Sequence, residues 1–330
     1  MAERGRRPGE FALIERYFRP LAADPGAFDL ADDAALYRQR PGDDLVVTTD
    51  MIAEGVHFLA GDPPDSVAHK ALRVNLSDLA AKGAVPFGYL MSLALPARWT
   101  EAWVKAFAAA LKGDQKRYGV VLLGGDTIKA SGGVTVSVTA IGRVPRGRMV
   151  PRSGACPGDA VMVSGTVGDA ALGLALRRGA LDPKLAGNGA KGLVDRSLHP
   201  RPRVALAQAL RRHATSAIDV SDGLIADLGH ICEASGVGAE IESHALPLSP
   251  ATRRVCVADP PTLALALNGG DDYEILATVA DSAAGAFRRA AKEAGVPVAR
   301  IGRIVPGDGP PVVRDASGRV VRVRPGHTHF

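Results

Sequence analysis

The chain has little of the chemistry that most often marks an enzyme class. Its 330 residues include three cysteines, Cys156, Cys232 and Cys256, an odd number with no CxxC spacing. Neither a disulfide framework nor a zinc cluster can organise such a chain, so the thiols are read as free and buried. Aromatic residues make up only 5% of the composition, and no basic stretch is interleaved with them, as a nucleic-acid groove would require. No apolar run reaches the roughly 18–20 residues that span a bilayer. The opening MAERGRRPGEFALIERYF has no signal-type apolar region. The expected setting is cytoplasmic, with no membrane and no nucleic acid as partner.

The common catalytic signatures are missing as well. There is no GxxxxGK[ST] phosphate loop, no GxGxxG ahead of a helix, no HRD/DFG pair, no GxSxG and no HExxH. A net charge of +5 is spread along the chain, with mild concentrations at RGRR and RVVRVRP. Solvated surface, or general attraction for a phosphorylated small molecule, accounts for it.

What is present is an alternation of element patterns. FALIERYF (11–18), SVAHKALRVNLSDLAAKGA (66–84) and TEAWVKAFAAALKGDQKRYG (100–119) have helical spacing, the last with Thr100 as N-cap. DLVVTTD, PFGYLMSLALP, VVLLGGDT and GGVTVSVTAIGRV read as strands, the last by strict period-2 alternation. PRGRMVPRSGACPGD (145–159) is dense in Pro, Gly and Arg and reads as a linker. The expected domains are therefore 1–147 and 148–330. The second half restarts with AVMVSGT and a helix, then a Gly-rich loop, helices near 201–212 and 223–235, a strand at YEILATV and a helix at SAAGAFRRAAKEAG. Each half is α/β or α+β, and the order departs from simple βα repetition.

Acidic residues recur where apolar patterns give way to small residues: Asp32 and Asp33 in LADDAAL, Asp50 in VVTTD, Asp78 in NLSD, Asp126 in LLGGDT, Asp219 and Asp222 in AIDVSD, Asp271 and Asp272 in LNGGDDYE. Any one of these is an ordinary turn or cap. In SAIDVSDGLIADLGH (216–230) the modest reading is that Ser221 or Asp222 caps the helix that follows. Six such places together point further, because converging carboxylates repel one another unless a cation sits among them. Oxygen donors without a His/Cys cluster favour Mg²⁺ or Mn²⁺, which commonly share their coordination with substrate phosphates. Gly124 and Gly125 before Asp126 let backbone N–H groups approach an anion. Thr48 and Thr49 add oxygens beside Asp50. Lys70 and Lys82 are placed on the exposed face of the helix that carries Asp78.

Taken in order, VVTTD, EGVHF, AHKALRVNLSDLAAKGA, LLGGDT, RSGA, SAIDVSDGLIADLGH and GGDDYE resemble the thiamine-monophosphate kinase family, within the superfamily of aminoimidazole ribonucleotide synthetase and selenophosphate synthetase. The resemblance runs from GEFALIERYF to the terminal HF. It implies a two-domain synthetase-like fold: an N-terminal α/β domain for ATP, Mg²⁺ and dimerisation, and a larger α/β C-terminal domain. The N-terminal sheets would close a β-barrel across a homodimer interface, with ATP and several Mg²⁺ ions near that interface. It implies transfer of the γ-phosphoryl of ATP to thiamine monophosphate, giving thiamine diphosphate. Asp32, Thr48, Thr49, Asp50, Asp78, Asp126, Asp219 and Asp222 match the family's metal ligands. Gly125, Asp126, Arg152 and Ser221 match ATP contacts, and His57, Asp271 and His327 match substrate contacts. Ala31 stands for the family's Gly in GDD, Asp271 for its usual Glu, and His327 for an aromatic ring. Without the resemblance, Arg152 would be read as solvated linker and His57 as a core histidine.

The acceptor phosphate, with a second pKa of about 6, is largely a dianion at neutral pH, so no general base is expected. Two rival readings remain. One is another ATP-dependent synthase of the superfamily, although the selenophosphate and hydrogenase-maturation members would call for a cysteine near one end. The other is a nucleotide- or nucleic-acid-binding module without turnover.

Overall fold

The computed structural model describes residues 8–321. They fall into two compact units. The first runs to Leu79 and takes in Val85–Arg146, and the second takes in Ala80–Ala84 and resumes at Gly147.

In the first unit the elements are β1 (Asp43–Ala53), α1 (Pro64–Ala81), β2 (Val85–Pro96), α2 (Glu101–Tyr118), β3 (Val121–Ala130) and β4 (Thr135–Pro145). The strands form one sheet in the order β1-β4-β2-β3, with only the β2–β3 pair parallel. Along β4 the alternation is complete: Val136, Val138, Ala140 and Val144 are buried, while Thr135, Ser137, Thr139 and Ile141 are half-buried. That is the period-2 consequence of one face meeting the core. α2 forms where its sequence signals place it. The Thr100 hydroxyl accepts the Trp103 N–H at 3.1 Å, Gly119 ends the helix at φ 68°, and Val104, Phe107, Ala108 and Leu111 make the buried stripe.

Among the described residues no closed sheet is found, and the barrel implied by the resemblance gives way to an open one. The four-stranded sheet is open, with β1 and β3 at opposite edges and not paired to each other. Four strands are also too few to close around a core of their own.

The second unit is built on a seven-stranded sheet. Its strands are β5 (Ala160–Ser164), β6 (Ala214–Asp219), β7 (Gly238–Glu242), β8 (Ile275–Val279), β9 (Val298–Val305), β10 (Val312–Arg314) and β11 (Val320–Val321), in the order β11-β10-β7-β9-β5-β8-β6. Only β10–β7 pairs in parallel, so this unit is α+β rather than doubly wound. Every residue of β5 and β8 is buried, because both faces are covered. Val161, Val163 and Leu276 face one core, shared with the helix Leu224–Ser235. Ala160, Met162, Ile275 and Ala277 face a second core with Phe287. Its helices include, in chain order, α3 (Asp169–Arg177), α4 (Ala190–Leu198), α5 (Leu224–Ser235) and α6 (Ala284–Glu293), with further ones at Ala207–His213, Pro250–Ala258 and Thr262–Asn268.

Lys70 and Lys82 are not on an exposed face. Lys70 is only 5% exposed and donates to the His57 carbonyl at 2.8 Å, and half-buried Lys82 donates to the Ala217 carbonyl at 2.7 Å. A long stem lets a helix bury its apolar length and still place the ammonium on a backbone oxygen. The thiols are free, but only Cys232 is fully buried, and burial pushes it up to about 11. Cys156 is exposed. Among the described residues no helix is long and apolar enough to cross a membrane.

α1 and α2 are tied by a buried ion pair. Arg73 meets both oxygens of Asp114, at 2.8 and 2.7 Å, and His69 Nδ1 lies 2.9 Å from Asp114 Oδ2. Burial alone would push the Asp114 carboxyl up, but the His69 and Arg73 hydrogen bonds override it and hold the group below its usual range. Asp114→Ala leaves a buried guanidinium without its counter-charge and is expected to cost roughly 3–5 kcal/mol. Urea unfolding of the variant against the parent chain measures this; a loss below about 1 kcal/mol, the range of an exposed pair, would contradict it.

Candidate active site

In the first unit a cavity of about 540 Å³ opens on the sheet beside β3. Asp32, Asp33, Gly125 and Asp126 line it, with Tyr37 and Leu90 among its apolar walls. The approach to Asp32 is strained: Phe28, Asp29 and Leu30 adopt left-handed φ values of 47°, 55° and 58°. Non-glycine residues held this way concentrate where a chain must present particular groups. Gly125 is required by space, since a Cβ there would lie 1.9 Å from the Met91 carbonyl oxygen. The Asp126 carboxylate accepts the N–H of Thr127 at 2.8 Å.

On β1 the two threonines part company. The Thr48 hydroxyl donates to Asp78 Oδ2 at 2.6 Å, toward α1. Thr49, one residue on, faces the other side of the sheet, where its hydroxyl donates to the Val138 carbonyl and accepts from Thr139. Asp50 is exposed and lies inside β1 rather than at its end, as Asp126 does in β3. His57 is half-buried in the loop after β1. Its Nδ1 accepts the Ala53 N–H at 3.1 Å, so the neutral ring carries its proton on Nε2. It is thus neither a core histidine nor freely rotating.

In the second unit Asp219 ends β6 and is 5% exposed. Ser221, Asp222 and Gly223 make the turn into α5. Neither Ser221 nor Asp222 caps the helix: the N-cap is Gly223, at φ 120°, with no side-chain cap. The capping relation runs backward instead. Asp227 Oδ2 accepts the N–H groups of Ser221, Asp222 and Gly223 at 3.0, 3.1 and 3.1 Å. Burial pushes the Asp227 carboxyl up to about 7, and the charge of Asp222 adds to this against the pull of those three donors. Asp222, Asp227 and His230 bring ligand atoms within 4.8 Å of one another, a grouping able to hold a cation.

The GGDDYE loop docks against the same turn. Asp271 and Tyr273 are left-handed, at φ 63° and 51°, and their N–H groups donate to the carbonyls of Ser221 and Val220, both at 2.8 Å. The Tyr273 hydroxyl donates to Asp271 Oδ1 at 3.2 Å. Asp272 is buried and accepts the N–H of Gly168 at 2.6 Å, at the start of α3. Glu274, fully buried, takes Ser164, Arg196 and Arg203 as donors. Arg152 lies exposed in the segment before β5. His327 lies outside the described residues.

Within each unit, then, the structure joins Asp32 with Gly125 and Asp126, Thr48 with Asp78, and Asp219, Ser221 and Asp222 with Asp271. Sequence reasoning missed Asp227, Lys70 and Tyr273. The signal for Asp227 was an acidic residue in the first turn of a helix whose preceding residues are small.

Comparison with known proteins places this geometry in a class. Residues 31–144 match the family model of the AIR synthase related protein N-terminal domain, and residues 156–314 that of the C-terminal domain. The thiamine-monophosphate kinase of Caulobacter vibrioides is 47% identical over 307 residues, 92% of this chain and 86% of its own. The crystal structure of thiamine-monophosphate kinase from Stenotrophomonas maltophilia superposes with a TM-score of 0.82 at 41% identity, covering 95% of this chain and 98% of that one. A structure of AaThiL complexed with AMPPCP and TMP gives 0.77 at 33% identity, over 98% and 97%. The chain belongs to the thiamine-monophosphate kinase family.

Burial pushes the Asp272 carboxyl from 3.8 up to about 8, above the opposing effect of the Gly168 hydrogen bond and Arg196. Between those values the folded chain keeps a proton that the unfolded chain has released. Stability from this group is therefore full below pH about 4 and lost as pH rises toward 8. Asp272→Asn should flatten that slope, read as the difference in urea midpoints at pH 5 and pH 8; the same slope in both proteins would contradict it.

Proposed function

We infer that this chain transfers the γ-phosphoryl group of ATP to the phosphate of thiamine monophosphate, giving thiamine diphosphate. The observation that carries this is the match, over nearly the whole of both chains, to AaThiL complexed with AMPPCP and TMP. Membership of the family supports it from the sequence side.

We propose that Asp32, Thr48, Thr49, Asp50, Asp78 and Asp126 of the first unit, and Asp219 and Asp222 of the second, hold Mg²⁺. The donor set fits the ion, since these are carboxylates and hydroxyls without a thiolate among them. Thr48 already steadies Asp78 through a 2.6 Å hydrogen bond, as residues that orient a metal ligand do. When bound, Mg²⁺ neutralises phosphate oxygens and so lowers the repulsion between donor and acceptor.

The chain's own groups do the rest by position. The acceptor is already a dianion, so no residue has to remove a proton. Phosphoryl transfer through a loose transition state depends on alignment and on compensation of spread negative charge. Gly125 lets the β3 backbone come close to ATP, Ser221 offers a hydroxyl and Arg152 a two-pronged donor. His57, with Nε2–H fixed as its donor, contacts the substrate, and Asp271 does so from a strained loop braced by Tyr273. The first unit is proposed as the ATP-, Mg²⁺- and dimer-forming part. Exposed Leu45, Val47 and Met51 on one side of β1 support a homodimer, since apolar rows of this kind mark contact surfaces.

The test incubates the purified chain with ATP, Mg²⁺ and thiamine monophosphate, and follows thiamine diphosphate. Product is expected with the parent chain, and a loss of roughly 100-fold or more with Asp126→Asn or Asp219→Asn, in line with removal of one electrostatic element. Phosphorylation of free thiamine in place of the monophosphate would overturn the acceptor assignment.

A further inference from the structure

Three consecutive backbone N–H groups converging on one point form a nest, the arrangement by which many proteins cradle a phosphate. In this chain the nest at Ser221–Asp222–Gly223 is already filled, because all three N–H groups end on the single oxygen Oδ2 of Asp227. Asp227 is 1% exposed, so solvent does not compete for its carboxyl.

The turn is pinned from its other side as well. The carbonyls of Ser221 and Val220 accept the N–H groups of Asp271 and Tyr273. A Cβ on Gly270 would lie 2.1 Å from the Ser221 carbonyl oxygen. A four-residue turn is thereby held through its N–H groups by one buried carboxylate, and through its carbonyls by a second loop. What this fixes is the direction in which the Cα–Cβ bonds of Ser221 and Asp222 leave the turn, since both hang from a backbone held on both sides.

We propose that Asp227 is a positioning residue of phosphoryl transfer: a buried carboxyl that closes the turn's own N–H groups to phosphate and presents Asp222 to its cation. The proposal rests on Asp222 being a metal ligand. Outer partners that orient metal ligands typically change metal affinity by 10–100-fold when lost. The effect of removing Asp227 therefore falls on the Mg²⁺ requirement rather than on fold alone.

Full-length Asp227→Asn and Asp227→Ala are compared with the parent chain in two Mg²⁺ titrations, one read as product formation at saturating ATP and one read without turnover, by calorimetry of Mg²⁺ binding in the presence of a non-hydrolysable ATP analogue, where a weakening of the same size is expected. The Asn variant keeps an oxygen acceptor of the same reach and serves if the Ala variant fails to fold; thermal melting establishes which variants are folded. The expected result is a half-activating Mg²⁺ concentration raised roughly ten-fold in Asn and more in Ala, with kcat largely recovered at high Mg²⁺. A folded Asn variant with an unchanged half-activating concentration overturns the proposal, whatever its kcat. Asp222→Asn, run alongside, separates the two ideas. If it leaves the Mg²⁺ dependence unchanged, the ligand reading has failed; if it alone shifts that dependence, only the role of Asp227 has.

Discussion

Negative charges do not gather without something to hold them together, and this constraint orders both the chemistry and the architecture of the chain. The reaction presses one phosphate against another. The residues proposed to serve it are themselves acidic, so each has to be fixed by a donor or balanced by a cation. For several such groups the structure shows the means of holding them. Asp78 takes the Thr48 hydroxyl, Asp126 the Thr127 N–H, and Asp271 the Tyr273 hydroxyl. Asp227 takes three N–H groups at once.

The same rule separates supporting acids from presenting ones. Asp114, Asp227, Asp272 and Glu274 are at most 2% exposed and consume their donors internally. Asp32, Asp50 and Asp126 are exposed. Burial thus separates these carboxylates of identical chemistry, although Asp219, a proposed ligand, is itself 5% exposed. The motif GGDDYE contains both kinds within four residues: Asp271 beside the Ser221 turn, then Asp272 and Glu274 anchored beneath it.

Much of the fold was legible in the sequence because its signals are local. α2 carries its own N-cap, apolar stripe and terminal glycine, and β4 alternates without exception. β7, at Gly238–Glu242, was not read as a strand because it is short and opens on glycine, and pairing with β9 and β10 is what makes it one. The site was legible as a set of acids but not as an arrangement. Thr48 and Thr49 look equivalent in VVTTD, and only the pleat sends them to opposite faces. Ser221 and Asp222 look like caps, but the oxygen that matters belongs to Asp227, one turn into the helix. Lys70 looks like surface until the loop carrying His57 folds over it. The barrel was implied by resemblance alone, and the open order of four strands replaces it.

The central claim is that these dispersed acids are divalent-cation ligands which make phosphate-to-phosphate transfer feasible. Its most direct test is a crystal structure grown with Mn²⁺ in place of Mg²⁺ and a non-hydrolysable ATP analogue, read by the anomalous signal of the metal. The account predicts metal peaks coordinated by Asp126 in the first unit and by Asp219 or Asp222 in the second, each also touching a phosphate oxygen. Nucleotide bound with no metal at any of these carboxylates would contradict it.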